Sequence, residues 1–350
     1  MPETPGTVDA ASLYAPHRDE RGRFFNPWRR MEIRIRDVLR WKLSHNPYDK
    51  RRPLEIPVAA GDGEALGRRA PRPAITWIGH STFALQDGPA VLLTDPHFGP
   101  RALVPPRLSP PGAPVGAVPP HAVALLSHNH YDHLDRWTLR RLPRSVEWFV
   151  PLGHGAYLRR HGFDRITELD WWQSAEGGGW RLTCLPAQHW SNRLGFRRNQ
   201  ALWASWMIET ATRRAYFAGD SGYYHGFAEI GRRFPGIDAA LIPIGAYEPR
   251  WFMRYQHVDP AEAWQAFRDL GARRLVPMHW GCFDLTDEPA DLAPRPLAEA
   301  LARAGDDPGG VRLLAVGERW EMGAGSGRLA GWFERLVREA SGTPAGGPVV

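Results

Sequence analysis

Short apolar runs separated by turns dominate the chain from Ala74 onward. A first series occupies residues 75–78, 90–94, 122–126 and 148–151, and a second occupies 201–208, 214–218, 239–244, 274–278 and 311–316. Runs of this length, rich in Val, Ile, Leu and aromatic residues, predict buried strands. Helical spacing takes over at 260–270, where Asp259 supplies an N-cap, Pro260 opens the first turn and Gly271 ends the helix. A late helix is predicted over 328–340. The Pro-rich stretch 105–120 suits neither regular element, and Glu176-Gly177-Gly178-Gly179 marks a turn before the next strand.

This mixture predicts one layered α/β domain over residues 71–325, preceded by an N-terminal extension, 1–70, and followed by a C-terminal helix and flexible tail, 326–350. The extension is polar and rich in Arg and Pro, apart from Phe24-Phe25-Asn26-Pro27-Trp28 and a basic amphipathic stretch from Met31 to Leu43. A helix of that kind lies on a membrane surface or docks its apolar stripe on the main domain; the pattern fits both.

Composition narrows the setting. A chain of 350 residues, 43% hydrophobic, has ample material for a core. It lacks the run of roughly 18 to 20 apolar residues that a spanning helix needs, and its first residues lack the basic and apolar regions of a signal peptide. A cytoplasmic protein is expected, with the inner face of the membrane as a peripheral location. Two cysteines, Cys184 and Cys282, are too few for a disulfide scaffold. A net charge of +6 favours anionic surfaces. Lys42 and Lys50 are the only lysines, and the arginines are dispersed with no basic-aromatic module, so no nucleic-acid partner is expected.

Candidate chemistry concentrates in Ser127-His128-Asn129-His130-Tyr131-Asp132-His133, an H-x-H-x-D-H pattern. On a strand-to-helix loop, His128 and His130 can face one cation while Asp132 and His133 turn to a second, about 3.5–4 Å away in typical two-metal sites. One loop cannot fill two coordination spheres, so further ligands must come from afar. His189, Asp220 and His279 qualify, because each stands where an apolar run ends and a buried strand would surface. Cys282 follows closely after His279 and is expected to pack rather than ligate, since the seven N/O ligands already account for two metals.

The order of these ligands resembles the metallo-β-lactamase superfamily. The resemblance implies an αββα sandwich with His128, His130 and His189 around one divalent metal ion, Asp132, His133 and His279 around the other, and Asp220 bridging both. Zinc is the metal it implies. Further runs, Trp77-Ile78-Gly79-His80-Ser81-Thr82, Leu93-Thr94-Asp95-Pro96, Gln188-His189-Trp190, Phe217-Ala218-Gly219-Asp220-Ser221-Gly222-Tyr223, Tyr255-Gln256-His257-Val258-Asp259-Pro260 and His279-Trp280-Gly281, resemble one branch. That branch is the N-acyl-phosphatidylethanolamine-hydrolysing phospholipase D family. The likeness spans residues 24–285 and includes Phe25-Asn26-Pro27-Trp28.

For this chain the resemblance implies hydrolysis of a phosphodiester on its headgroup side, releasing an N-acylethanolamine and phosphatidic acid. Asp132 and Asp220 would orient the attacking water, His257 would assist the leaving group, and Gln256, His257 and Tyr131 would touch substrate. His80 and Asp95 are expected to position ligands by hydrogen bonds. The aromatic runs Trp171-Trp172 and Trp251-Phe252-Met253 suit an acyl channel or the core. Ser191-Asn192-Arg193, Cys282-Phe283 and His154-Gly155 depart from the family pattern at expected pocket-mouth positions. The implied partners are a phospholipid substrate and a membrane surface, with a homodimer as the assembly considered. The alternative is a cytosolic hydrolase of a soluble phosphodiester or lactone.

Overall fold

In the computed structural model, which describes residues 10–31, 34–50, 52–59, 66–194 and 198–342, the apolar runs pair into two sheets. Strands β1 (Ala70–Gly79), β2 (Thr82–Gly88), β3 (Ala90–Thr94), β4 (Val123–Leu125), β5 (Glu147–Pro151) and β6 (Ile166–Leu169) lie in sequence order in the first sheet. The second sheet holds β7 (Ser174–Gly177), β8 (Trp180–Leu185), β9 (Ser205–Glu209), β10 (Arg214–Phe217), β11 (Ala239–Pro243) and β12 (Leu275–Met278), again in order. A last strand, β13 (Arg319–Glu321), returns to pair antiparallel with β1.

Both faces of the first sheet are buried, which is why its strands read as continuous apolar runs rather than alternating ones. Trp77, Leu92, Leu125 and Phe149 pack in one cluster with Leu182, Trp206 and Phe217 of the second sheet. Their chain neighbours Ile78, Leu93, Ala124 and Trp148 face outward into a separate cluster with Leu139 and Leu158. Those two leucines belong to the short helices α2 (Arg136–Leu139) and α3 (Gly155–Arg159). The far side of the second sheet carries α4 (Gly226–Arg233), α6 (Pro260–Leu270), α7 (Pro294–Ala304) and α8 (Ala330–Ala340), with α6 packed on β11. The result is the αββα sandwich. Helix α1 (Ile35–Leu43) and the short α5 (Arg250–Met253) stand near the edge that carries the site. No helix among the described residues is long and apolar enough to cross a membrane.

The caps of α6 fall where local chemistry places them. The Asp259 side chain accepts from Glu262 N, Pro260 opens the helix, and Gly271 closes it at φ 60°. Residues 311–316 depart from expectation. They form no strand, and only Val311 and Val316 make isolated bridges, to Leu275 and Val58. The two ends bond to different partners, so an apolar run that is buried throughout never acquires a continuous ladder. The expected strand 201–208 likewise begins only at Ser205, because Leu202 N and Ala204 N donate across to Leu152 O and Ser127 O. The predicted tail residues 343–350 lie outside the described residues.

The N-terminal segment packs into the body. Leu13 and Phe24 join the core between the sheets, and Trp172 donates to Leu13 O while its ring stacks on Tyr14. The pair Trp171-Trp172 therefore serves packing. Helix α1 docks through Trp41, whose ring stacks on Phe252 at 5.0 Å and whose Nε1 donates to Asp287. Its residues Leu39 and Leu43, one turn apart, point the other way and are 55% and 85% exposed.

Candidate metal centre

Strand direction assembles the site. β3 and β4 are parallel, and β1 lies two antiparallel steps from β3, so all three end at the same edge of the first sheet. By the same logic β8, β10 and β12 end together in the second. His80 follows β1, Asp95 follows β3, the 127–133 loop follows β4, His189 follows β8, Asp220 follows β10 and His279 follows β12. Carboxyl ends of strands are where such folds gather functional side chains.

The turns there are tight. His80, Asp95 and His279 have φ of 56°, 33° and 63°, a region that non-glycine residues rarely occupy and that costs roughly 1–3 kcal/mol each. Neighbouring strands hold them: His279 N donates to His80 O, and Asp95 N to Leu125 O. Gly219, at φ 57°, admits the close approach of β10 to the metal loop, since a Cβ there would sit 2.6 Å from Ser127 Cβ.

His128, His130, His189 and Asp220 form one group, buried except for the half-buried His130, and Asp132, His133, His279 and His80 form a second. All seven expected ligand residues thus converge on one place. Asp220 is the one carboxylate within ion-pair range of both groups among the described residues. Its Oδ2 lies 3.1 Å from His133 Nε2 and 3.8 Å from both His128 Nε2 and His189 Nε2, and its Oδ1 lies 3.2 Å from His279 Nε2.

Hydrogen bonds on the outer ring nitrogens set the tautomers. His189 Nδ1 donates to Gln256 O at 2.9 Å, and His133 Nδ1 to Asp95 Oδ2 at 2.6 Å. His128 Nδ1 donates to Ser127 Oγ at 2.8 Å, and that hydroxyl passes its own proton to Asp95 Oδ2 at 2.5 Å. In the neutral ring each arrangement leaves a lone pair on the inward Nε2, the form a metal requires. His80 Nε2 donates to Asp132 Oδ2 at 3.0 Å. Asp95 therefore orients His133 directly and His128 through Ser127.

His128 Nε2 and His189 Nε2 lie 2.8 and 3.2 Å from His130 Nδ1. Three converging ring nitrogens, two with lone pairs turned inward, cannot be satisfied by one shared proton. His133 Nε2, His279 Nε2 and Asp220 Oδ1 are also buried without a hydrogen-bond partner. Unsatisfied electron-pair donors of this chemistry, nitrogen and carboxylate oxygen facing one another, fit divalent cations.

Charge is divided across the centre. Burial holds His128 and His189 well below the ordinary imidazole range and brings His130 to about 4. Burial opposes charge on His133 and His279 too, but Asp220 and Asp132 outweigh it, so His133 rises well above the usual value and His279 to about 9. Burial alone would raise Asp132 and Asp220, yet His133 holds both well below the carboxylate range.

Above the centre lies a cavity of about 750 Å³. His130, Asp132, Asp220 and His257 contribute to its lining, together with Ile35, Val38, Leu103, Val104, Phe252 and Met253. His257 places Nδ1 3.9 Å from Asp220 Oδ2, and burial lowers its pKa to about 3. Tyr131 lines the same cavity. Gln256 does too, but its side chain is engaged: Trp190 Nε1 donates to its Oε1 at 2.6 Å. The aromatic run 251–253 splits, with Phe252 and Met253 in the wall and Trp251 42% exposed.

The model of the β-lactamase superfamily domain matches residues 91–280, more than half of the chain. This chain belongs to that superfamily. An uncharacterised protein of Mycobacterium tuberculosis is 37% identical over 87% of this chain and 82% of its own length. A Caenorhabditis elegans protein named N-acyl-phosphatidylethanolamine-hydrolysing phospholipase D 1 is 35% identical over 70% of this chain and 75% of its own. A solved structure described as a possible metal-dependent hydrolase from Veillonella parvula overlays with a TM-score of 0.57 at 14% identity, covering 71% of this chain and 99% of that one. The superfamily fold and the His/Asp clusters make the protein a metal-dependent hydrolase.

Within this superfamily member, three supports of the centre escaped the sequence. Asn26 donates to His189 O and to Tyr255 Oη and accepts from Trp203 Nε1, so the N-terminal segment braces the stretch after β8 that carries His189. Trp190 lies against the His130 ring at 4.6 Å while holding Gln256. Ser127 carries the link between Asp95 and His128. The apolar-run pattern marks none of them; the adjacency of Trp190 to His189 and of Ser127 to His128 was the available signal.

Proposed function

We propose that the protein is a dinuclear phosphodiester hydrolase of phospholipase D type, acting on N-acyl-phosphatidylethanolamine at a membrane surface. One observation carries this reading: a polar, His/Asp-lined centre opens into a large cavity walled by aliphatic and aromatic side chains, with Arg34 and Arg198 also along it. That combination suits an anionic reacting group attached to long apolar chains. The likeness to the Caenorhabditis elegans phospholipase supports the same substrate.

Bound divalent cations, zinc in this reading, would polarise the phosphoryl oxygens and lower the pKa of a coordinated water toward about 7. His128, His130 and His189 would hold one, Asp132, His133 and His279 the other, with Asp220 shared. Asp132 and Asp220 orient the attacking water by accepting its hydrogens. Water adds to phosphorus, the P–O bond on the ethanolamide side breaks, and the proton that the water gives up is passed to the departing alkoxide, a strong base that needs one. His257, beside Asp220 in the cavity, is assigned to that oxygen; Tyr131 and Gln256 are assigned to the substrate wall.

Purified, metal-quantified protein in mixed micelles should convert N-acyl-phosphatidylethanolamine to N-acylethanolamine and phosphatidate, resolved by mass. Metal-loaded protein that releases neither product, yet hydrolyses a dissolved phosphodiester or lactone, would transfer the assignment to a soluble substrate.

The exposed stripe of α1 provides the membrane contact in this reading, with Arg36, Arg40 and Lys42 beside it to meet anionic headgroups. Removing two aliphatic anchors, each worth roughly 1.5–3 kcal/mol when fully buried, should weaken binding to anionic vesicles about tenfold or more. Leu39→Ser/Leu43→Ser tests this by vesicle sedimentation. Turnover of a dissolved short-chain substrate should be retained, because neither leucine lines the cavity. Unchanged vesicle binding would remove α1 from the membrane contact.

A further inference from the structure

A second cleft, of about 660 Å³, adjoins the active-site cavity and shares Leu103 and Tyr131 with it. Five arginines line it, Arg101, Arg136, Arg140, Arg160 and Arg193, against one carboxylate, Asp135. That carboxylate is engaged at the start of α2, accepting from Trp137 N, Thr138 N and Thr138 Oγ1. Among the described residues, none of the five guanidinium groups meets a carboxylate within ion-pair distance. Like charges gathered in a concave site concentrate a positive potential that only solvent or an anion can balance.

Arg193 distinguishes this cleft from an ordinary basic surface. It is 4% exposed, its guanidinium lies 4.3 Å from the Tyr131 ring and 5.2 Å from that of Tyr157, and it donates to Asn129 O and Tyr157 Oη. Burying a cation among rings, one carbonyl and one phenol oxygen, with no carboxylate, leaves much of its charge unmet. Leu103 and Leu194 line the same cleft while remaining 61% and 89% exposed. Guanidinium forks match phosphate oxygens two at a time, and exposed leucines beside them suit acyl chains next to a headgroup.

We propose that this cleft binds the phosphate of an anionic phospholipid that is not cleaved, seated beside the substrate; the choice of a lipid rests on the lipid-facing reading of the active site. No member of the His/Asp clusters lines the cleft, so a phosphate held there lies away from the hydrolytic centre. Tyr131 connects the two. It belongs to the metal loop, lines both cavities, and accepts from Leu194 N at 3.0 Å. A ligand in the cleft therefore lies against a residue of the loop that carries Asp132.

The test is a binding titration of the full-length protein with dihexanoyl phosphatidate below its micellar concentration, followed by tryptophan fluorescence, which Trp137 in the cleft reports. Dihexanoyl phosphatidylcholine and inorganic phosphate serve as comparison probes. Arg136→Gln/Arg140→Gln/Arg160→Gln alters exposed side chains only, so fold and metal content should hold. The expected result is saturable phosphatidate binding, weakened about tenfold or more in the variant and by added salt, with little binding of phosphatidylcholine. Equal affinity for inorganic phosphate would replace the lipid by free phosphate as occupant. Phosphatidate binding that is absent, or untouched by the triple substitution, overturns the site. Catalysis is not read, so failure to turn over N-acyl-phosphatidylethanolamine leaves this outcome independent.

Discussion

Asp220→Asn is expected to lower turnover at least about a thousandfold, roughly 4 kcal/mol of transition-state stabilisation, with the fold retained. The side chain keeps its shape but exchanges a carboxylate oxygen for an NH₂. Asp220 faces both halves of the centre, with His133 Nε2 at 3.1 Å and His279 Nε2 at 3.2 Å. An amide in that place removes the one negative charge the two halves share and can turn a donor toward nitrogens whose lone pairs are needed inward. The raised affinity of His133 and His279 for protons, which Asp220 sustains, should collapse in the variant. Metal content by mass spectrometry, circular dichroism and turnover on the same preparation separate the effects. Full metal occupancy with turnover within tenfold of the unaltered protein would remove Asp220 from the shared position.

Legibility in the sequence followed the range of the interactions. Helix α6 could be read because Asp259, Pro260, Glu262 and Gly271 act on backbone atoms within a few residues. The residues of the His/Asp clusters could be read because a polar side chain at the end of an apolar run is a local pattern with few structural uses. Strand direction, which brings those ends to one edge, had to be taken from the resemblance. Asn26 was out of reach: its partner His189 is 163 residues away, and nothing near Asn26 encodes that contact. The amphipathic pattern of residues 31–43 gave the helix but not its orientation, which Trp41 decides through Asp287, 246 residues distant. The same distance effect hid the arginine cleft, whose members come from the 100–107 loop, α2, α3 and the segment after His189. Burial without pairing explains the opposite error at 311–316, since periodicity reports what is dry rather than what is hydrogen-bonded in a ladder.

Asp95→Asn should weaken metal affinity by about 10–100-fold, the range typical of residues that orient ligands, although Asp95 need not touch a metal. Its carboxylate is fully buried and accepts from Ser127 N at 2.6 Å, Ser127 Oγ at 2.5 Å and His133 Nδ1 at 2.6 Å. Asparagine tolerates the φ of 33° and keeps one acceptor oxygen. Its Oδ1 position faces Ser127 N, a backbone donor that cannot turn away, so the NH₂ takes the Oδ2 position and opposes both Ser127 Oγ and His133 Nδ1. The hydroxyl can rotate to accept, but doing so breaks the relay that keeps the His128 lone pair on Nε2. Accepting at His133 Nδ1 moves that ring's proton to Nε2, the atom that faces Asp220 and must be free for a metal. Both rings are then pushed toward the wrong tautomer. Loss of charge-assisted bonds should also cost about 1.5–3 kcal/mol each in the metal-free protein, read as a lower unfolding midpoint. Ser127→Ala, which cuts only the His128 branch, should fall between the unaltered protein and Asp95→Asn on both measurements. Metal titration giving affinities within twofold for all three proteins would mean that the tautomers of His128 and His133 are set elsewhere.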